Sequence, residues 1–190
     1  MTLTYKTIGA TVCGTALLLA ATTLRAQTAE VFTATAAIKG AGGGSASAPV
    51  TITVDRKMSQ GEADRLVAAF KSGGAAALRK ALGGVPPTGN ISIGTGAATP
   101  TRFTLERVTG EGRLLTILTD KPLLFVGASL PGAKSQAGYD FGVIDIEVDA
   151  KGNGSGTLAP AAKIKMNRDA FVVEDYGIEA VRLTGVKKTR

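Results

Sequence analysis

Asp140-Phe-Gly-Val-Ile-Asp-Ile-Glu-Val-Asp149 alternates, with Ile144, Ile146 and Val148 on one face and Asp145, Glu147 and Asp149 on the other. That is the pattern of a strand with one dry side and one wet side. Lys151-Gly-Asn-Gly-Ser-Gly156 follows with residues that tolerate positive φ. Ala161-Ala-Lys-Ile-Lys-Met-Asn167 then alternates again, with Ala162, Ile164 and Met166 set against Lys163 and Lys165. Gly138 to Arg168 therefore reads as one long hairpin about a glycine-rich turn. Pairing Asp145 with Lys165 and Glu147 with Lys163 would place opposite charges across its wet face, each pair contributing ~0.2–1 kcal/mol.

Toward the N-terminus, Phe32, Ala34, Ala36 and Ile38 share a face of a first strand, and Val50, Ile52 and Val54 share a face of a second. Gly40-Ala-Gly-Gly-Gly-Ser-Ala-Ser47 between them is a flexible, low-complexity loop. It lacks the strand, fixed spacing and following helix of a phosphate-binding glycine loop, as does Gly94-Thr-Gly96. Ser59-Gln-Gly-Glu62 matches a capping box, Leu66, Val67 and Phe70 follow on one side, and Gly73-Gly74 ends a helix. A second helix, Ala75 to Leu82, carries Leu78 and Leu82 on one side and ends at Gly83-Gly84. The expected helical pair at about 59–83 reads as a lid packed on a sheet.

Beyond Pro86-Pro87 the pattern is again that of strands. Ile91 and Ile93 alternate, Phe103, Leu105 and Arg107 share a face, and Gly110-Glu-Gly112 turns the chain into Arg113 to Thr119. The last of these is apolar on both faces, as in a central strand. Leu123 to Gly127 reads as a further strand, Gly127 to Ala137 as a surface loop, Glu174 to Gly177 as a turn and Ile178 to Lys188 as the last strand. About nine strands with short connections imply an antiparallel sheet. The fold class is α+β: a mainly antiparallel sheet, curled or closed into a barrel, with two helices inserted after the second strand.

Residues 1–26 read as a signal peptide. Lys6 precedes an apolar run from Ile8 to Leu19, and Thr23-Leu-Arg-Ala26 ends in a small residue suited to cleavage. Thr11, Thr15, Thr22 and Thr23 dilute the run below what a membrane span of ~20 apolar residues requires. The remaining 27–190 form a single β-rich domain, expected to be periplasmic or secreted, with no membrane span after the signal is removed. That part has neither histidine nor cysteine, since the one cysteine is Cys13, so its core must hold it without disulfides. With Lys6 and Arg25 gone, 20 basic residues face 15 acids. The excess is scattered, clusters only at Lys187-Lys-Thr-Arg190, and lacks interleaved aromatic residues, which argues against nucleic-acid binding.

Several features resemble a group of exported bacterial proteins with no assigned function. They are the exported strand pair, the Ser-x-x-Glu helix, the Gly-Gly break and the Ala-Leu-Arg-Lys-Ala-Leu helix, then Gly112-Arg-Leu-Leu-Thr-Ile-Leu-Thr-Asp-Lys-Pro122 and Gly152-Asn-Gly-Ser-Gly-Thr-Leu-Ala-Pro160. The resemblance spans nearly the whole mature chain and implies no chemistry.

The composition argues against catalysis. Without histidine or cysteine the mature chain can build no Ser-His or Cys-His pair and no ordinary zinc site. It contains no Ser-x-x-Lys, and Ser45, Ser129 and Ser155 sit in no nucleophile elbow. Asp145 and Glu147 lie ~7 Å apart on one strand face, near the spacing of glycosidase acids, but a solvated face balanced by lysines is the plainer reading, and the chain has no tryptophan platform. Asp145, Glu147 and Asp149 fail as a calcium loop because Ala150 stands where that loop needs glycine. No cofactor or metal is expected. Two readings follow. One is an exported, non-catalytic interaction protein with a protein partner; the other is a barrel holding a small apolar ligand among Phe103, Leu105, Leu115, Ile117, Tyr139 and Phe141.

Overall fold

A computed structural model of the protein describes residues 28–39, 45–123, 138–168, 170–175 and 180–190. Ten strands and one helix follow in the order β1 (Glu30–Lys39), β2 (Ser45–Val54), α1 (Gln60–Gly83), β3 (Gly89–Ile93), β4 (Thr99–Thr101), β5 (Phe103–Val108), β6 (Arg113–Leu118), β7 (Phe141–Val148), β8 (Asn153–Asn167), β9 (Ala170–Asp175) and β10 (Val181–Lys188). The first 27 residues, with the expected signal segment, lie outside the described residues, as do residues 40–44 of the glycine loop, 124–137, and 176 and 177 of the expected turn. β2 already begins at Ser45, inside the stretch expected to be a loop.

All pairings are antiparallel, and the sheet runs β4-β3-β2-β1-β10-β8-β7-β6-β5, with β9 on a second stretch of β8. The two ends of this order, β4 and β5, are consecutive in the chain and separated by Arg102 alone, so the sheet is nearly closed and barrel-like. A threonine seam takes the place of a ladder there. The Thr104 hydroxyl donates to Thr88 Oγ1 at 2.9 Å, and Thr88 and Thr101 share a hydroxyl hydrogen bond at 3.0 Å. The Thr88 amide donates to the Thr101 carbonyl, and the Met58 amide to the Thr104 carbonyl, both at 2.8 Å. All three threonines are buried, so each hydroxyl needs this partner in place of water.

Alternation sorts the apolar residues into two cores. Phe32, Val50, Ile52, Ile91, Leu115, Ile117, Ile144, Ile146 and Leu158 point into the barrel and are all at most 1% exposed, so its interior is filled. On the outer face, Phe103, Leu118, Phe141, Val143, Ala159 and Ala162 pack against Ala63, Leu66, Leu78 and Leu82 of α1. Burying a leucine of this kind contributes ~1.5–3 kcal/mol. The helix is therefore bound to the outside of the sheet.

The capping box forms as the sequence indicates: the Glu62 amide donates to Ser59 Oγ, and the Ser59 amide donates to the Glu62 carboxylate at 2.9 Å. In place of two helices the structure has one, kinked where Gly73 (φ −152°, ψ 21°) and Gly74 (φ 64°) leave helical geometry. Gly74 permits that positive φ without the penalty of a Cβ, so the Gly-Gly pair divides α1 into two helical segments that meet at a kink, where the sequence places its break.

The central hairpin also takes a different register. Asp145 faces Thr157 and Glu147 faces Ser155, not the lysines. The turn is confined to Asp149–Asn153, and β8 starts at Asn153. Gly154 and Gly156 lie inside the strand, where a Cβ would run into the carbonyl oxygens of Glu147 and Asp145. Lys163 and Lys165 pair instead with β9, opposite Asp175 and Val172, and Lys163 meets Glu174 at 3.3 Å.

Candidate functional site

Inward parity continues past the apolar core to one end of the barrel, where it places charges. Glu30 lies two residues before Phe32 on β1, Glu106 two after Thr104 on β5, and Arg113 two before Leu115 on β6. On β10 a bulge between Leu183 and Val186, with Gly185 at φ 61°, resets the alternation so that Val186 is buried and Lys188 reaches the same end. Lys57 arrives from the link between β2 and α1.

These groups form a square. Arg113 donates to both oxygens of Glu30, at 3.1 and 2.7 Å, and to Glu106 at 2.7 Å. Lys57 meets Glu30 at 3.0 Å and Glu106 at 2.6 Å. Two cations thus alternate with two carboxylates, and the Arg113 guanidinium lies 5.8 Å above the Phe32 ring, roofing the interior. Burial alone would raise the pKa of Glu30, but the hydrogen bonds from Arg113 and Lys57 outweigh it and hold the group at about 2, against an ordinary 4.5. Glu106 is lowered by the same balance, with burial opposing Lys57 and Arg113. The hydrogen bond to Glu30 likewise raises Arg113. Both carboxylates stay ionised at neutral pH, which suits electrostatic cross-linking and unsuits them as proton donors.

Two depressions flank the square. One, of about 290 Å³, is lined by Glu30, Asp55, Arg56, Lys57, Lys188 and Arg190 among others. The second, of about 420 Å³, lies between the β5–β6 and β7–β8 turns and is lined by Glu106, Val108, Arg113, Asp149, Lys151 and Lys188, with Gly112 and Gly152 in its wall. Lys188 stands between them and lines both.

The six residues expected to line a ligand cavity do not come together. Leu115 and Ile117 belong to the barrel interior, whereas Phe103, Phe141 and Leu105 lie on the outer face under α1. Phe103 packs edge-on against Phe171 at 5.6 Å. Tyr139 is half-buried, and its hydroxyl donates to Asp175 at 2.6 Å, the contact that chiefly raises its pKa. None of the six lines either depression.

The carboxylate series on β7 is similarly dispersed in role. Asp145 is half-buried and accepts from Thr116 at 2.6 Å, with burial raising its pKa, while Glu147 is exposed. Asp149 closes its own turn by accepting the amides of Lys151 and Asn153 at 2.8 and 2.9 Å, which lowers its pKa. Among the described residues no three acidic, histidine or cysteine side chains are placed to hold a metal, and no helix is long and apolar enough to cross a membrane. Comparison with protein-family models, with curated proteins and with solved structures gave no match.

Proposed function

We propose that this chain is an exported, non-catalytic protein that works by surface contact, with the charged barrel mouth as its contact region. The observation that carries this reading is the filled interior. A small apolar ligand would have to displace side chains such as Phe32, Leu115, Ile117 and Ile146, all at most 1% exposed. Among the described residues the only large hydrophobic left exposed is Val108, at 88%, and it lies on the rim of the second depression. A polar, cation-rich contact fits that surface better than an apolar one. Export rests on the character of residues 1–26, and a periplasmic or secreted location follows from it.

Native mass spectrometry of residues 27–190, purified without denaturation from an exporting host, tests the reading. Whole-chain masses with nothing released on unfolding are the expected result. An apolar small molecule retained in the native state and lost on unfolding would overturn it in favour of a carrier barrel.

A further inference from the structure

The square is neutral in itself, and what lies beside it is not. Glu30 already accepts from Arg113 and Lys57, so Lys188, whose Nζ stands 3.6 Å from the same carboxylate, is a third cation on one anion. Its position is fixed by the fold. The Lys188 amide donates to the Gly152 carbonyl at 2.7 Å, and Gly152, at φ 82°, lies so close that a Cβ there would come within 2.6 Å of the lysine Cβ. In the second depression both acids are occupied, Glu106 by Lys57 and Arg113 and Asp149 by the amides of its own turn. Lys151, exposed in the same turn, adds its charge to the groups that hold Asp149 ionised. The lining thus carries one cation in excess, Arg113, Lys151 and Lys188 against Glu106 and Asp149, and the two lysines are the cations that do not belong to the square.

We infer that this depression is an anion site, in which Lys151 and Lys188 take a phosphate ester group of a larger ligand while Val108 meets the neighbouring apolar part. Phosphate is favoured over a single carboxylate because two separate ammonium groups suit a dianion with several acceptor oxygens. The inference rests on the surface-contact reading and names the chemistry of that contact.

Titration of isotope-labelled 27–190 with phenyl phosphate, followed by amide shifts, tests it, alongside sedimentation with phosphatidylcholine vesicles containing phosphatidic acid, a phosphate monoester. Saturable binding in either arm, with shifts centred on Val108, Lys151 and Gly152, is expected, and the arm that responds shows whether the phosphate is soluble or lipid-borne. The Lys151→Gln, Lys188→Met double variant, whose methionine keeps the stem over Gly152, should weaken binding by roughly tenfold or more. Lys165→Gln with Lys187→Gln removes equal charge elsewhere and should leave binding near that of the parent. Lys151→Gln alone, in an exposed turn, should show a partial loss if the double variant is poorly folded. Absence of binding in both arms, or equal loss in the two double variants, overturns the site. Such a failure would leave the surface-contact reading standing, since that reading falls only to a released apolar ligand.

Discussion

Arg113 and Glu30 meet across the mouth of the barrel through two hydrogen bonds, although they are 83 residues apart and their strands are separated in the sheet by β10, β8 and β7. The pair therefore ties opposite walls. Arg113→Met would retain most of the contact with Phe32 but leave Glu30 and Glu106 sharing Lys57, with only the longer contact from Lys188 to Glu30 beside it, in a partly dehydrated site. A loss of about 2 kcal/mol in urea unfolding is expected, between the values for exposed and buried pairs. Adding Glu30→Gln to that variant should recover part of the loss, and strict additivity would show that the two groups are not coupled.

Acid should weaken the same tie. Glu30 is held at about 2, below its ordinary 4.5, so its contribution is complete above about 4.5 and is lost as pH falls toward 2. The carboxylate is 13% exposed, which leaves roughly 2 kcal/mol after allowance for screening. Glu106, Glu62 and Asp149 are also lowered and act in the same sense. Unfolding midpoints of Glu30→Gln should fall less than those of the parent between pH 5 and 3. Parallel curves would remove Glu30 from the account.

The threonine seam gives a prediction about closure. Thr88→Val leaves the Thr101 and Thr104 hydroxyls buried without their shared partner, a cost of about 1–3 kcal/mol. Replacing Thr88, Thr101 and Thr104 by valine together removes every orphaned group and should be less harmful than the single change. Hydrogen exchange at the Met58 amide, which bonds across the seam to Thr104, reports whether the barrel opens there.

Asp145 behaves in the opposite sense from Glu30. Burial raises its pKa more than the Thr116 hydroxyl and the Arg107 charge lower it. The folded state thus binds the proton more tightly than the unfolded state, and ionisation at neutral pH subtracts stability. Asp145→Asn keeps an acceptor for Thr116 and should raise the urea midpoint at pH 7, with the gain fading in acid. A lower midpoint at pH 7 would mean that attraction to Arg107 dominates.

Much of the fold was legible because alternation is local. The inward faces of β2 and β7 follow the sequence pattern, as do Phe32, Ala34 and Ala36 on β1 and the Ser59–Glu62 cap. The register of the central hairpin was not, since Gly152, Gly154 and Gly156 are equally suited to a turn and to a strand crowded by neighbouring carbonyls. The mouth was least legible. Glu30 continues the Phe32 face visible in the sequence, but the pattern of β5 favours the face of Phe103 and Leu105 over that of Glu106, β6 is apolar on both faces, and the meeting of the three depends on sheet closure. Gly185 within a strand pattern was the one local sign that Lys188 changes face.

Gly152 links that fold to the proposed site. Its φ of 82° disfavours any residue with a Cβ, and the added atom would press on Lys188, whose amide bonds to the Gly152 carbonyl. Gly152→Ala should therefore cost about 1–2 kcal/mol through backbone strain and displace the end of β10. Amide shifts at Val186 to Lys188, measured with the midpoint of urea unfolding, separate the two effects. A stability loss without change at Lys188 would confine the role of Gly152 to the turn, whereas movement of Lys188 together with weakened phosphate binding would show that the β7–β8 turn positions the lysine for its ligand.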